Sequence, residues 1–506
     1  MKKKLFLSFA LAASVWLNAQ QKNTLLNPNF WKNAPDVTAV KAEIAKGNNP
    51  SESNDRSFDA VVYAINNDAP NETIKFLLDQ PGNSVNKSTH DNRIYLHWAA
   101  YKGNAEIVNY LIDKGSDVNL EDSHATTPIT FAAGVGQTNT EVYDALFKAG
   151  INPKHKYRNR NGANLLHLAI ASDKDLKITN YLITKGLSLK DTDNDGNTVL
   201  DYAAKSGDLA FLKTLASKGV KFTDNAIIFA AEGSRRDAAS LEVYRYLVEE
   251  AKLNPKVTNK EGATVLHLVA NKPKQTEVIN YFISKGVDVN KADNSGTTAL
   301  MAAATSRDTE ALELFISKTK DINTQNIKGE SALTMAVKSG SPKSVELLLN
   351  TKANSQILDK EGYNLGYYLI QSYRPQMGGR GPENNEGPKV DPFEAKSDLL
   401  QKSGLDLAAA QKDGSTLYHF AVVKNDLNLV KKLQPLQIDV NSKNTDGLTA
   451  LHKAAMVSND DQLLKYLLSI GAQKETKTEF DETAYALAKE NETLTKQNVS
   501  VEFLKS

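Results

Sequence analysis

Apolar residues along this chain fall in short runs at i, i+3 and i+4, separated by polar turns rich in Asn, Asp and Gly. Val108-Asn109-Tyr110-Leu111-Ile112 is one such run and Val278-Ile279-Asn280-Tyr281-Phe282-Ile283 another, and the spacing predicts a helix with one apolar stripe. A different segment precedes runs of this kind, as in Thr264-Val265-Leu266-His267-Leu268-Val269-Ala270. Its Thr reads as an N-cap whose side-chain oxygen accepts a free backbone N–H, and the small and apolar residues that follow predict a short helix with a narrow face. The second helix is predicted to stop where a lysine precedes a glycine, at Lys114-Gly115, Lys185-Gly186, Lys218-Gly219 and Lys285-Gly286. There the glycine takes the left-handed conformation and the lysine complements the negative end of the helix dipole. Asp117-Val118-Asn119 or Asp288-Val289-Asn290 then leads into a turn. A helix pair of this size cannot bury enough apolar surface to offset its ordering entropy, so each unit must stack on its neighbours.

The unit repeats. Gly162 to Gly196 and Gly262 to Gly296 are each 34 residues apart; Gly296 to Gly329, Gly329 to Gly362 and Gly414 to Gly447 are each 33; Gly196 to Gly262 is 66. After these glycines come Thr298-Ala299-Leu300-Met301-Ala302-Ala303 and Thr449-Ala450-Leu451-His452-Lys453-Ala454-Ala455, and a more divergent copy reads Ile94-Tyr95-Leu96-His97-Trp98-Ala99-Ala100. In period and motif the chain resembles the ankyrin repeat family. The resemblance covers nearly the whole mature chain and implies an all-α helical solenoid with short β-hairpin fingers, an array of about thirteen to fourteen units. One departure recurs: the proline of the family's Thr-Pro-Leu-His tetrapeptide survives only as Thr127-Pro128, which should loosen the first helical turn elsewhere.

The expected organisation runs from a signal peptide at 1–19, through an N-terminal capping repeat at 20–56 and repeats at 57–372, to a Gly/Pro-rich flexible insertion at 373–393. Repeats at 394–480 and a C-terminal capping repeat at 481–506 complete it. The leader reads Lys2, Lys3 and Lys4, the apolar run Leu5 to Leu17, and Asn18-Ala19 before polar Gln20. That run is short for a membrane span, and no later segment approaches one. The insertion shows by arithmetic, since Gly362 to Gly414 is 52 residues, one period plus 19. In the N-terminal unit Phe30-Trp31 is expected to be exposed, and in the unit from Thr223 to Pro255 Asp224-Asn225 stands where the glycine turn should be, the mark of a kink or a change of curvature.

Lys and Arg total 61 against 60 for Asp and Glu, so the chain has almost no long-range field with which to gather nucleic acid. It has no cysteine, which excludes disulfides, thiolate metal sites and a cysteine nucleophile. Asp191, Asp193 and Asp195, followed by Gly196, match the first half of a calcium loop, yet its twelfth position is Tyr202 where a bidentate Glu is needed. The stretch reads as an inter-repeat turn, with weak calcium binding left open. His97, His167, His267 and His452 recur in register, one or more whole units apart, and cannot converge on one ion. The resemblance implies that this histidine hydrogen-bonds its turn and the adjacent unit. No nucleophile elbow, P-loop or His-Glu-x-x-His motif occurs, and the reading is of a protein that is not an enzyme, with no catalytic residue, no metal and no cofactor.

Candidate binding residues follow from the same frame. Lys154, Lys156, Arg158 and Arg160 alternate in a stretch expected to be extended, which would set all four cations on one side, either to dock an anionic partner or to solvate the finger. Family members bind through finger tips and the concave face, which points to residues flanking each turn glycine. Ile327, Tyr363 and Leu448 are the apolar ones, with Lys260, Asn294, Lys360 and Lys412 at related positions. The functional expectation is a monomeric, non-enzymatic scaffold that binds protein partners, periplasmic in a Gram-negative cell or alternatively secreted. The other readings are a released effector or adhesion-type protein and, by loose analogy with exported relatives, an accessory factor for a stress enzyme such as catalase.

Overall fold

The computed structural model describes residues 23–233, 237–306, 309–375 and 391–505. The leader and most of the expected insertion lie outside the described residues. The chain forms two compact units, Met1–Ala203 and Ala204–Ser506.

Both units are built from the predicted helix pairs. In the first, the inner helices Ala60–Asn66, Tyr95–Lys102, Pro128–Gly134, Leu165–Ala169 and Val199–Ala203 pack successively on one another. The outer helices Val37–Ala45, Asn71–Leu78, Ala105–Asp113 and Thr140–Lys148 form a parallel file behind them. The second unit continues in the same manner, with inner helices such as Val265–Val269, Ala299–Ala303, Ala332–Ser339, Leu365–Ser372, Leu417–Val422 and Ala450–Val457.

The alanine pairs explain how the inner helices come so close. Ala99-Ala100, Ala132-Ala133, Ala303-Ala304 and Ala454-Ala455 are almost wholly buried. A methyl group at these positions lets one helix lie against the next, while the adjoining leucines, Leu96, Leu300 and Leu451 among them, fill the space toward the outer helix. Each such leucine contributes roughly 2 kcal/mol of apolar burial, and no single repeat encloses it.

Capping follows the sequence. Thr298 Oγ1 accepts the Met301 N–H at 3.4 Å, and Asp59 Oδ1 that of Val62 at 3.0 Å. Gly115, Gly186, Gly219 and Gly286 end outer helices at φ of 87°, 89°, 82° and 80°.

One expectation is corrected and two are made specific. The fingers are minimal: among the described residues their β-structure consists of isolated antiparallel bridges such as Thr258↔Thr264 and Ala292↔Thr298. A side chain takes the place of a second rung, since Asp293 Oδ1 accepts the N–H groups of Ser295 and Thr297, both at 2.8 Å. Trp31 is fully buried, its Nε1–H donating to the Leu25 carbonyl at 2.9 Å, so the N-terminal cap closes on an aromatic plug and not on an exposed pair. In the degenerate unit the outer helix Leu241–Arg245 runs into a π turn at Tyr246–Glu250, and Asp224 Oδ1 holds the Asn254 N–H at 2.8 Å.

The turn glycines are constrained twice. Gly329 has φ +80°, and a Cβ there would stand 2.7 Å from the Lys360 nitrogen and 2.8 Å from Asp359 Cα, both backbone atoms of the next repeat. Gly329→Ala is therefore expected to cost about 2–3 kcal/mol. Gly115→Ala, at φ +87° with open space around it, should cost only about 1 kcal/mol. Urea midpoints of the two variants check this, and equal shifts would refute the close-approach argument.

Candidate surface for protein binding

Several fingers start from a backbone that their neighbours hold. In these the N–H two residues before a turn glycine donates to the carbonyl just before the preceding turn glycine. In the second unit these bonds are Asn294 to Glu261 at 2.8 Å, Ile327 to Ser295 at 2.8 Å, Lys360 to Lys328 at 2.9 Å and Thr445 to Asp413 at 2.9 Å. The first unit has the same bond from Asn194 to Asn161 at 2.9 Å, and an equivalent one from Ser123 to Asp91 at 2.8 Å.

The histidines supply a second stitch. His267 Nδ1 accepts the Thr264 N–H at 3.1 Å, so its proton sits on Nε2 and is donated to the Thr297 carbonyl at 3.1 Å, in the next turn. His97 to Thr126 at 2.8 Å and His452 to Thr476 at 2.9 Å repeat the arrangement. His167 keeps the register, with Nδ1 2.7 Å from Asn164 Oδ1. His419, which the sequence reading passed over, does the same toward Leu448 at 2.9 Å; its place three residues after Thr416 was the available signal. Burial pushes all five imidazoles below their ordinary value of 6.5, against hydrogen bonds and nearby carboxylates that favour the charged form.

The calcium-like stretch is a turn of the same kind. Asp193 Oδ1 accepts the N–H groups of Asp195 and Asn197, both at 2.9 Å, and Oδ2 accepts Tyr202 Oη–H at 2.9 Å. Burial alone would raise its carboxyl, but these bonds hold it below the usual carboxylate range. Asp191 accepts from Asn164 at 2.8 Å, and Asp195 from Asn161 at 2.7 Å.

The predicted binding residues divide by environment. Ile327 is 57% exposed. Lys260, Asn294, Lys360 and Lys412 are exposed along the fingers, the last lying over Gly362. Tyr363 is half-buried, stacked on Tyr367 at 4.4 Å and edge-on to Phe420 at 5.6 Å, and Leu448 is half-buried too. The basic stretch is not extended throughout: Arg158–Arg160 forms a 3-10 turn, so the cations do not share one side. Arg160 donates back to the His124 carbonyl and Thr126 Oγ1 at 3.0 and 2.7 Å, Lys156 forward to the Thr192 carbonyl at 2.9 Å, and Lys154 drapes over Gly186.

The structure adds apolar residues that finger positions did not reveal. Tyr101, Val135, Val423 and Met456 are exposed at the C-terminal ends of inner helices, and Leu358 is 53% exposed on a finger. Gln325 links that finger to its neighbour, donating to the Leu358 carbonyl at 2.9 Å and to the Gly329 carbonyl at 2.5 Å.

A family model described as ankyrin repeats in three copies matches residues 32–122, 60–157, 129–226, 227–326, 266–360 and 397–496. The chain belongs to the ankyrin repeat family. It is 29% identical over 186 residues to a probable 26S proteasome regulatory subunit, p28, of Saccharomyces cerevisiae, covering 35% of this chain and 80% of that one. It is 33% identical over 135 residues to a palmitoyltransferase of Lachancea kluyveri, covering 26% of this chain but 18% of the enzyme. The crystal structure of the ankyrin repeat domain of Bcl-3 is similar at 20% identity and a TM-score of 0.35, over 45% of this chain and 95% of that one. Ankyrin repeats are protein–protein interaction modules, typically without enzymatic activity of their own, and protein partners are what this repeat array implies.

The histidine stitches carry a pH dependence with a defined sign. Their folded pKa values lie below 6.5, so the unfolded chain binds more protons under mild acid. Stability is full above about pH 6.5 and is lost as the pH falls toward the folded values. The melting temperature should drop between pH 7.5 and pH 5. His267→Gln should melt lower at pH 7.5 and depend less on pH across that range; a variant with an unchanged pH slope would contradict the assignment.

Proposed function

We propose that this protein is a non-enzymatic scaffold, exported from the cell that makes it, which holds protein partners along its fingers and the inner-helix face beside them. The observation that carries the reading is apolar side chain left in water on fingers whose turns are stitched to their neighbours. Ile327 and Leu358 stand more than half exposed on adjoining fingers whose amides and turns are satisfied by their neighbours. Neither side chain closes a core, and adjoining apolar exposure of this kind is characteristic of contact surfaces.

The fingers differ in chemistry from repeat to repeat, with Lys260, Asn294, Ile327, Lys360, Lys412 and Thr445 at the same register position. Specificity is thus written in finger side chains that vary in chemistry while the backbone stitches stay constant. Tyr363 and Leu448 act as shoulders of that surface. The leader pattern of Lys2 to Ala19 supports export, to the periplasm or alternatively to the medium.

Affinity capture from the envelope fraction of the source organism tests the reading, with the intact chain and an Ile327→Asp, Leu358→Asp variant as baits. A partner held by the first and reduced at least about tenfold, or about 1.4 kcal/mol, with the second is the expected result. Capture indifferent to the variant would remove the fingers from the interface, and a chain that remains in the cytosol on fractionation would refute export.

A further inference from the structure

The inner-helix face near the C-terminal end carries an apolar strip beside unneutralised positive charge. Val423 and Met456 stand seven residues after the N-caps Thr416 and Thr449, at one register on neighbouring helices, and are 55% and 49% exposed. Val457 extends the strip, and half-buried Phe420, edge-on to Tyr367 at 5.0 Å, forms its shelf.

Lys424 follows Val423, Lys453 stands one turn before Met456, and Arg374 is close enough to Lys424 and to buried Lys396 for their charges to interact. Among the described residues none of the four has a carboxylate partner. Arg374 Nη1 donates to the carbonyl groups of Gln371 and Tyr373 at 3.0 and 3.1 Å, and buried Lys396 Nζ to that of Val337 at 2.8 Å. These cations feel one another: burial, and then the charge of Arg374, lowers the ammonium of Lys396 to about 8 and that of Lys424 in the same direction.

Arg374 and Lys396 line an open cavity of about 900 Å³ whose acids are already engaged. Lys432 takes Asp391 at 2.9 Å and Glu394 at 2.5 Å. Asp426 accepts the N–H groups of Asn428 and Leu429 and the hydroxyl of Tyr373, at 2.9, 3.1 and 3.1 Å. The positive charge is left for something outside the fold.

We propose that this face docks an acidic peptide segment of a partner protein, its apolar side chains on Val423 and Met456 and its carboxylates against Arg374, Lys424 and Lys453. Apolar anchors and cations must be satisfied together, which a peptide of mixed acidic and apolar residues does. A polyanion without apolar groups would leave the strip in water. The inference rests on the scaffold reading but uses a surface separate from Ile327 and Leu358, so either can fail alone.

Selection of a random peptide library displayed on phage against the intact chain tests it. The expected pool is net acidic with interspersed Leu, Ile or Phe, and it binds more weakly as salt rises. Its binding falls at least about tenfold on Arg374→Glu with Lys424→Glu, and separately on Val423→Asp with Met456→Asp, while Lys260→Glu leaves it unchanged. All the substituted side chains are exposed, and circular dichroism verifies that the variants fold. No enriched pool, a neutral or basic pool, or a pool indifferent to both variants would overturn the inference. So would binding that appears only after deletion of 376–390, which would give the site to the chain's own segment.

Discussion

A helix pair of about 33 residues has two apolar faces and closes neither, so the structure depends on bonds that cross from one repeat to the next. Two kinds recur here. A turn amide reaches back to the carbonyl of the preceding turn, as from Ile327 to Ser295 at 2.8 Å. A histidine reaches forward from the first turn of an inner helix to the next finger, as from His419 to Leu448 at 2.9 Å. Each is a hydrogen bond worth about 1 kcal/mol net. Because one end of each bond belongs to another repeat, local stability is a property of the junction and not of the unit.

The same bonds decide which side chains are free to act. Aspartates and asparagines in the turns, Asp193 and Asp293 among them, are consumed in closing them. So are Arg160 and Lys156, which bridge to neighbouring repeats. What remains includes exposed apolar side chains of two kinds: one two residues before a turn glycine, and those at the C-terminal ends of inner helices. Ile327 belongs to the first group, Val423 and Met456 to the second. Binding chemistry can therefore change at these positions while the stitches stay constant, which is how a repeat array separates fold from specificity.

Much of the fold was legible because its signals are local. The glycine period, the Thr-to-His interval and the Lys-Gly helix ends each report a backbone requirement that acts within a few residues, and Gly286 at φ 80° is one such requirement met. The finger geometry was misread because alternation of charge from Lys154 to Arg160 resembles a strand, whereas the following Asn161-Gly162 folds it into a 3-10 turn. Trp31 looked exposed because its partner, the Leu25 carbonyl, is not recognisable as a hydrogen-bond acceptor from residue type. The binding surface was only half legible. Finger positions can be counted from the glycines, but the exposure of Leu358, Val423 and Met456 depends on what adjoining repeats leave uncovered, and no local pattern records that.

Native-state hydrogen exchange at neutral pH tests the dependence on inter-repeat stitches most directly. The amides of Asn294, Ile327, Lys360 and Thr445 lie in surface turns and would exchange in seconds if those turns were ordinary loops. The account predicts protection within about tenfold of the core amides of the inner helix in the same repeat. Exchange at the rate of an unstructured peptide, with the helices still protected, would contradict it.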